Sequence, residues 1–182
     1  MDLFEALLTR RSVRSFSEEP VSKEDHTAIV RAGMHAPSAH DQQPWRMLSI
    51  TNRRTLDQLV PLTPWWDLLH SVPLAIVICS DTRLLNGITP EFQVDGCVAA
   101  TENMLLAAYG LGLGAVWLGI CDGEQNYEIF KQIIGIPDYA RVISMIAIGH
   151  ELEGQDTVVP EDRLDQSKWF FEQWGNEGSR VV

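Results

Sequence analysis

The sequence predicts a single α+β domain, and three observations predict it. Apolar and small residues recur at intervals of three and four through residues 91–111 (Val94, Cys97, Val98, Thr101, Met104, Leu105, Ala108), the longest helical pattern in the chain. Short apolar runs of strand length alternate with helical segments instead of collecting at one end. A chain of 182 residues can bury one core without disulfides or metal, and it shows no repeat, long linker or low-complexity run.

The elements follow in order. Residues 2–9 form a first helix with Leu3, Phe4, Leu7 and Leu8 on one side. A second opens at Ser22, where "SKED" resembles a capping box, and runs to about His35. Between the prolines of "PSAHDQQPW" (residues 37–45) the backbone is unsuited to a helix interior or a central strand, so its side chains are left for binding. "WRMLSIT" (45–51) reads as a strand, Asn52 caps a short helix through Val60, and "PLAIVICS" (73–80) reads as a buried strand. After the central helix come a strand at 115–119, a helix at 124–134 ended by Gly135 and Pro137, and a strand at 142–149. The tail carries Trp169, Phe170, Phe171 and Trp174, too aromatic for a free terminus, so it is expected to dock on this chain or on a second copy.

Composition excludes several classes. With 25 acidic against 14 basic residues and a net charge of -11, the chain is no general binder of nucleic acid or anionic membrane. The start has no secretory-signal pattern, and the uncharged stretch at 105–121 is short and broken by four glycines, so no membrane span is expected. Cys79, Cys97 and Cys121 stand far apart, and the five histidines form no HxxxH or HExxH pair; neither a metal site nor a disulfide framework is supported, and a reducing cytoplasm fits best.

The basic residues that do cluster are informative. "RRSVR" sets Arg10, Arg11 and Arg14 around Ser12, and guanidinium forks match phosphate oxygens, so the segment suggests a phosphomonoester cradle; arginines that merely complement the end of a helix are the bland alternative. "GLGLGA" (110–115) lacks the third glycine of GxGxxG and runs from helix to strand, the reverse of a dinucleotide motif, so a tight turn explains it better. No GxSxG is present and no nucleophile stands out. Six tryptophans, with Trp65 and Trp66 in "TPWWDLL", could line a pocket for a planar ligand, although large aromatics more often belong to core or interface.

In this order, "RRSVRSFSEEPVS", "APSAHDQQPWRM", "QVDGCVAATENMLLAAYGLGLGAVWLGI", "GIPDYARVISMIAIGH" and "EDRLDQSKWFFEQW" resemble the nitroreductase family of flavin enzymes over nearly the whole chain. The resemblance implies a three-layer α+β fold with a mostly antiparallel central sheet, residues 1–182 forming one FMN-binding domain. It also implies an intertwined homodimer with FMN at two interface sites, the tail from about residue 155 to 182 docking on the partner. Arg10, Arg11, Ser12 and Arg14 would approach one FMN from one subunit, and Pro37, Ser38, Ala39 and Gln42 from the other. Trp117, Leu118 and Gly119 would lie beside the flavin, and Arg163 near its phosphate.

The implied chemistry is a ping-pong cycle, hydride passing from NAD(P)H to flavin N5 and then electrons to a nitroaromatic, quinone or similar small acceptor, with no protein nucleophile or metal. Arg14 and the Gly119 backbone would support the reduced ring. Reductive dehalogenation, flavin breakdown, and non-catalytic flavin binding or sensing stay open as alternatives, as do the acceptor and the choice of NADH or NADPH. Relatives often carry glycine and asparagine where this chain has His40 and Asp41, and little sequence lies between Val60 and Pro73 or between Asp81 and Glu91 to build a substrate lid.

Overall fold

A computed structural model describes residues 2–120, 123–152 and 161–176; Cys121 and the tail stretches 155–160 and 177–182 lie outside the described residues. The elements are α1 (Leu3–Thr9), α2 (Lys23–Met34), β1 (Trp45–Ile50), α3 (Arg53–Leu59), β2 (Leu74–Asp81), α4 (Pro90–Gly110), β3 (Gly114–Leu118), α5 (Glu124–Ile134) and β4 (Ala140–Gly149). The four strands form one antiparallel sheet in the order β1-β2-β4-β3.

β2 lies inside the sheet and all eight of its residues are buried, which is why its sequence is a continuous apolar run. Its side chains alternate between two cores. Leu74, Ile76 and Ile78 meet Cys97, Met104 and Ile29 of α4 and α2, whereas Ala75, Val77 and Cys79 meet Leu56 and Phe130 of α3 and α5. The sheet is thus the middle of three layers, the expected α+β arrangement. α4 buries Gly96, Cys97, Ala100, Thr101, Met104, Leu105 and Ala108, and the Thr101 hydroxyl is satisfied by Cys97 O and Ser144, each at 2.8 Å.

Helix ends differ in detail from expectation. The reciprocal capping box is at α1, where Asp2 accepts from Phe4 and Glu5 N–H and Glu5 accepts the Asp2 N–H; at α2, Ser22 accepts the Asp25 N–H. Gly135 closes α5 in the left-handed conformation, as the sequence suggested. The apolar side of α1 has no cover among the described residues: Leu3, Phe4, Leu7 and Leu8 are exposed, and only Ala6 is buried. Where a lid would need sequence, residues 60–62, 67–70 and 82–84 form only short 3-10 turns.

Candidate functional site

The arginine segment is an extended arm laid on the edge of the sheet. Val13 N–H donates to Ala115 O at 3.0 Å and Ser12 bridges Ala115 in parallel register; further on, Phe16 bridges Glu151 and Ser17 N–H donates to His150 O at 3.0 Å. Val13 and Phe16 are the buried anchors, leaving Ser12 and Arg14 exposed. Gly114 makes the close approach possible, because a Cβ there would sit 2.7 Å from Val13 Cγ1. The second half of "GLGLGA" therefore serves the docking of the arm as well as the turn.

The four polar residues of the arm have different surroundings. Arg10 is tied to Glu102 of α4, Nε to Oε1 at 3.5 Å, while the neighbouring Thr9 hydroxyl meets Tyr109 at 2.9 Å. Arg11 donates to Arg10 O at 3.3 Å, and its pKa is lowered by partial burial and then by the charges of Arg163 and Arg10. Arg163 thus adds its charge to the surroundings of Arg11. Arg14 donates to Ser12 O at 3.5 Å and, with Trp117, Leu118 and Gly119, borders a cleft of about 310 Å³. Thr63, Trp65 and Trp66 close its other side; "TPWW" offered the two tryptophans as candidates to line a pocket for a planar ligand, without saying which pocket.

The loop at 37–45 is strained and internally bonded. His40, Asp41 and Gln43 have φ of 51°, 53° and 48°, a left-handed conformation that costs roughly 1–2 kcal/mol per side-chain-bearing residue. It is held by Ser38 Oγ accepting the Gln43 N–H at 3.0 Å and by the Gln43 amide donating to Asp41 at 2.9 Å, so the Asp41 carboxylate is engaged within the loop. Gln42 donates to Leu85 O at 3.2 Å, while its Oε1 is buried with no partner among the described residues. Pro37, Ser38 and Ala39 border a separate open cleft of about 420 Å³ against Phe92, Asp95 and Gly96 of α4. Within one chain, then, the arm and the loop line two different clefts.

Asp81 ties this loop to the sheet. It is fully buried by area, accepts from Arg83 at 2.7 and 2.8 Å and pairs with Arg46 at 3.0 Å, while its backbone N–H donates to Pro44 O at 2.9 Å. The Arg83 hydrogen bonds hold its carboxyl at about 2 despite the cost of burial. Cys79 and Cys97 offer no thiolate: burial pushes Cys79 up to about 11 and Cys97 up to about 12. Among the described residues no group of His, Cys, Asp and Glu could hold a metal ion, and no helix is long and apolar enough to cross a membrane.

The profile of the Nitroreductase family matches residues 7–150. A protein of Methanothermobacter thermautotrophicus, provisionally named an NADH dehydrogenase/NAD(P)H nitroreductase, is 36% identical over 171 residues, which is 93% of this chain and 88% of that one. A crystal structure of a protein from Parabacteroides distasonis, with the same provisional name, superimposes with a TM-score of 0.84 at 31% identity, covering 94% of this chain and 98% of that chain. A provisionally named nitroreductase from Desulfovibrio desulfuricans, solved in complex with FMN, gives 0.82 at 28% identity, covering 96% and 98%. With that match across most of its length, and with the arm, central helix and sheet in the expected order, the chain belongs to the nitroreductase family.

Proposed function

We propose that this protein is an FMN-dependent oxidoreductase that draws electrons from NAD(P)H and delivers them to an electron-poor small acceptor, a nitroaromatic, a quinone or similar, in a ping-pong cycle. The observation that carries the reading is the gathering of like charge around Arg11, whose charged form is disfavoured first by partial burial and then by the charges of Arg163 and Arg10. A phosphate among these guanidiniums relieves the repulsion. The unpartnered buried Oε1 of Gln42 is a second polar group that a ligand could satisfy. The FMN complex of the Desulfovibrio relative and the NAD+ complex of an NADPH:FMN oxidoreductase from Vibrio harveyi agree with this choice of cofactor and reductant.

When bound, FMN supplies the hydride-accepting N5 and the two-electron chemistry, and no protein nucleophile is needed. Arg11, Ser12 and Arg163 would bind its phosphate, and Arg10, braced by Glu102, would add positive potential beside them. Arg14, at the cleft beside Trp117 and Leu118, would stabilise the negative charge that the flavin gathers on reduction, and the backbone of Gly119 would offer the ring a hydrogen bond.

A second copy of the chain completes the site with its Pro37, Ser38, Ala39 and Gln42. That reading is supported by the separate clefts of arm and loop and by the uncovered Leu3, Phe4, Leu7 and Leu8 of α1, which packs on α4, where Phe92 and Val98 are also exposed. Residues 1–182 form one domain in this proposal, and the tail from about residue 155 docks on the partner through Leu164, Trp169 and Trp174, which are exposed in the single chain. Free buried thiols at Cys79 and Cys97 suit a reducing cytoplasm.

The test is Arg11→Ala combined with Arg163→Ala. Losing charge-assisted bonds of roughly 1.5–3 kcal/mol each should weaken FMN binding at least tenfold per position in a protein that still folds. Flavin content equal to wild type in the double variant would discard the phosphate assignment.

A further inference from the structure

We propose that Trp65 is a stacking platform that makes the oxidoreductase selective for flat aromatic acceptors, an inference that rests on the cofactor reading above. Trp65 is 76% exposed, yet the turn that carries it is firmly held. On either side Leu62 and Trp66 are buried, Trp66 packing against Phe130 with ring centroids 5.6 Å apart. Asn126 donates to Leu62 O at 3.0 Å, Trp66 N–H donates to Thr63 O at 3.3 Å, and Trp65 N–H donates to Thr63 Oγ1 at 3.4 Å. Trp65 is thus held out of the core by a turn that is hydrogen-bonded and packed on both sides of it.

Single exposed apolar residues need no explanation by themselves. The position of this one does, because it borders the cleft that also presents Arg14, Trp117 and Gly119, the side where the flavin ring is assigned. The segment from Val60 to Pro73 contains only short 3-10 turns, so the indole is the largest apolar surface that this stretch offers a ligand there. An exposed indole carried on a hydrogen-bonded turn offers a flat face on which a planar π-system can stack. Compact or octahedral oxidants gain nothing from it.

The experiment compares wild type, Trp65→Leu and Trp65→Phe, all as FMN-loaded protein. Each is reduced with dithionite, which keeps the nicotinamide out of the comparison, and reoxidised with 1,4-naphthoquinone or with ferricyanide. The quinone rate constant should fall about tenfold in the leucine variant and recover in the phenylalanine variant, while the ferricyanide rate stays within about twofold. Equilibrium binding of the non-reducible 2-naphthoate, read from the flavin absorbance of the oxidised protein, should weaken by the same factor of about ten, which is 1.4 kcal/mol.

Unchanged naphthoate affinity in Trp65→Leu would overturn the inference. So would equal losses with quinone and ferricyanide, which would mean general damage, or a change of oligomeric state, which would make Trp65 an interface residue. Wild-type protein that refuses FMN would fail the cofactor reading itself and the inference with it, whereas full FMN occupancy with an indifferent Trp65 would discard the inference alone.

Discussion

Replacing Gly114 by alanine tests how the sheet edge presents the arginine arm. The added Cβ would lie 2.7 Å from Val13 Cγ1, 2.9 Å from Val13 Cβ and 3.1 Å from Val13 Cγ2, against the roughly 3.5–4.0 Å at which carbon atoms attract. The arm must therefore back away by close to an ångström, and overpacking of this kind costs about 1–3 kcal/mol. The movement stretches the 3.0 Å bond from Val13 N–H to Ala115 O and displaces Arg11, Ser12 and Arg14 together. If one charge-assisted contact to phosphate is lost, FMN affinity falls about ten- to hundredfold. Titration of the apoprotein with FMN, followed by flavin fluorescence, measures this beside urea unfolding of the same variant. Adding Val13→Ala removes two of the three clashing atoms and should restore part of the affinity. A dissociation constant for Gly114→Ala within about twofold of wild type would refute the reasoning.

Asp81 should govern acid stability. Its carboxyl sits at about 2 against an ordinary 3.8, so its contribution is complete above about 4 and is lost as the pH falls toward 2. Asp81→Asn should lower stability by about 1.5–3 kcal/mol at neutral pH and remove that acid-limb slope in urea titrations; an unchanged slope would contradict the assignment. His40→Gly relieves a left-handed residue at φ 51° and should raise stability by up to about 1 kcal/mol, seen as a higher melting temperature. A lower melting temperature would mean that the His40 side chain makes a contact worth more than the strain.

What could be read from the sequence followed how locally each feature is determined. The three-and-four spacing of α4 and the apolar run of β2 are set by burial against neighbours on a regular lattice, so their types and approximate bounds were legible. β2 nonetheless runs on to Asp81, because Arg46 of the neighbouring strand β1 and Arg83, two residues further along the chain, make a buried carboxylate tolerable. The apolar side of α1 was legible as a stripe, but its exposure was not, since period says nothing about what a face meets. Residues 60–72 bury Leu62, Trp66 and Leu69 through 3-10 turns that have no sustained period, so "TPWW" suggested pocket-lining tryptophans without showing that Trp65 is exposed at this cleft while Trp66 is buried. Within the site, "RRSVR" announced a cationic patch. That Glu102, 92 residues after Arg10, would engage Arg10 depends on tertiary packing that no local pattern encodes. His40 and Asp41 gave no warning of positive φ, because residues of their type occupy it only when surroundings such as the Ser38–Gln43 bond hold the loop.

The most direct test of the central claim is the visible absorption spectrum of the purified protein, with release and identification of any yellow cofactor. The account predicts a flavin spectrum, FMN at about one equivalent per chain, and bleaching on anaerobic addition of NADH or NADPH. A colourless protein that also fails to take up added FMN would contradict it.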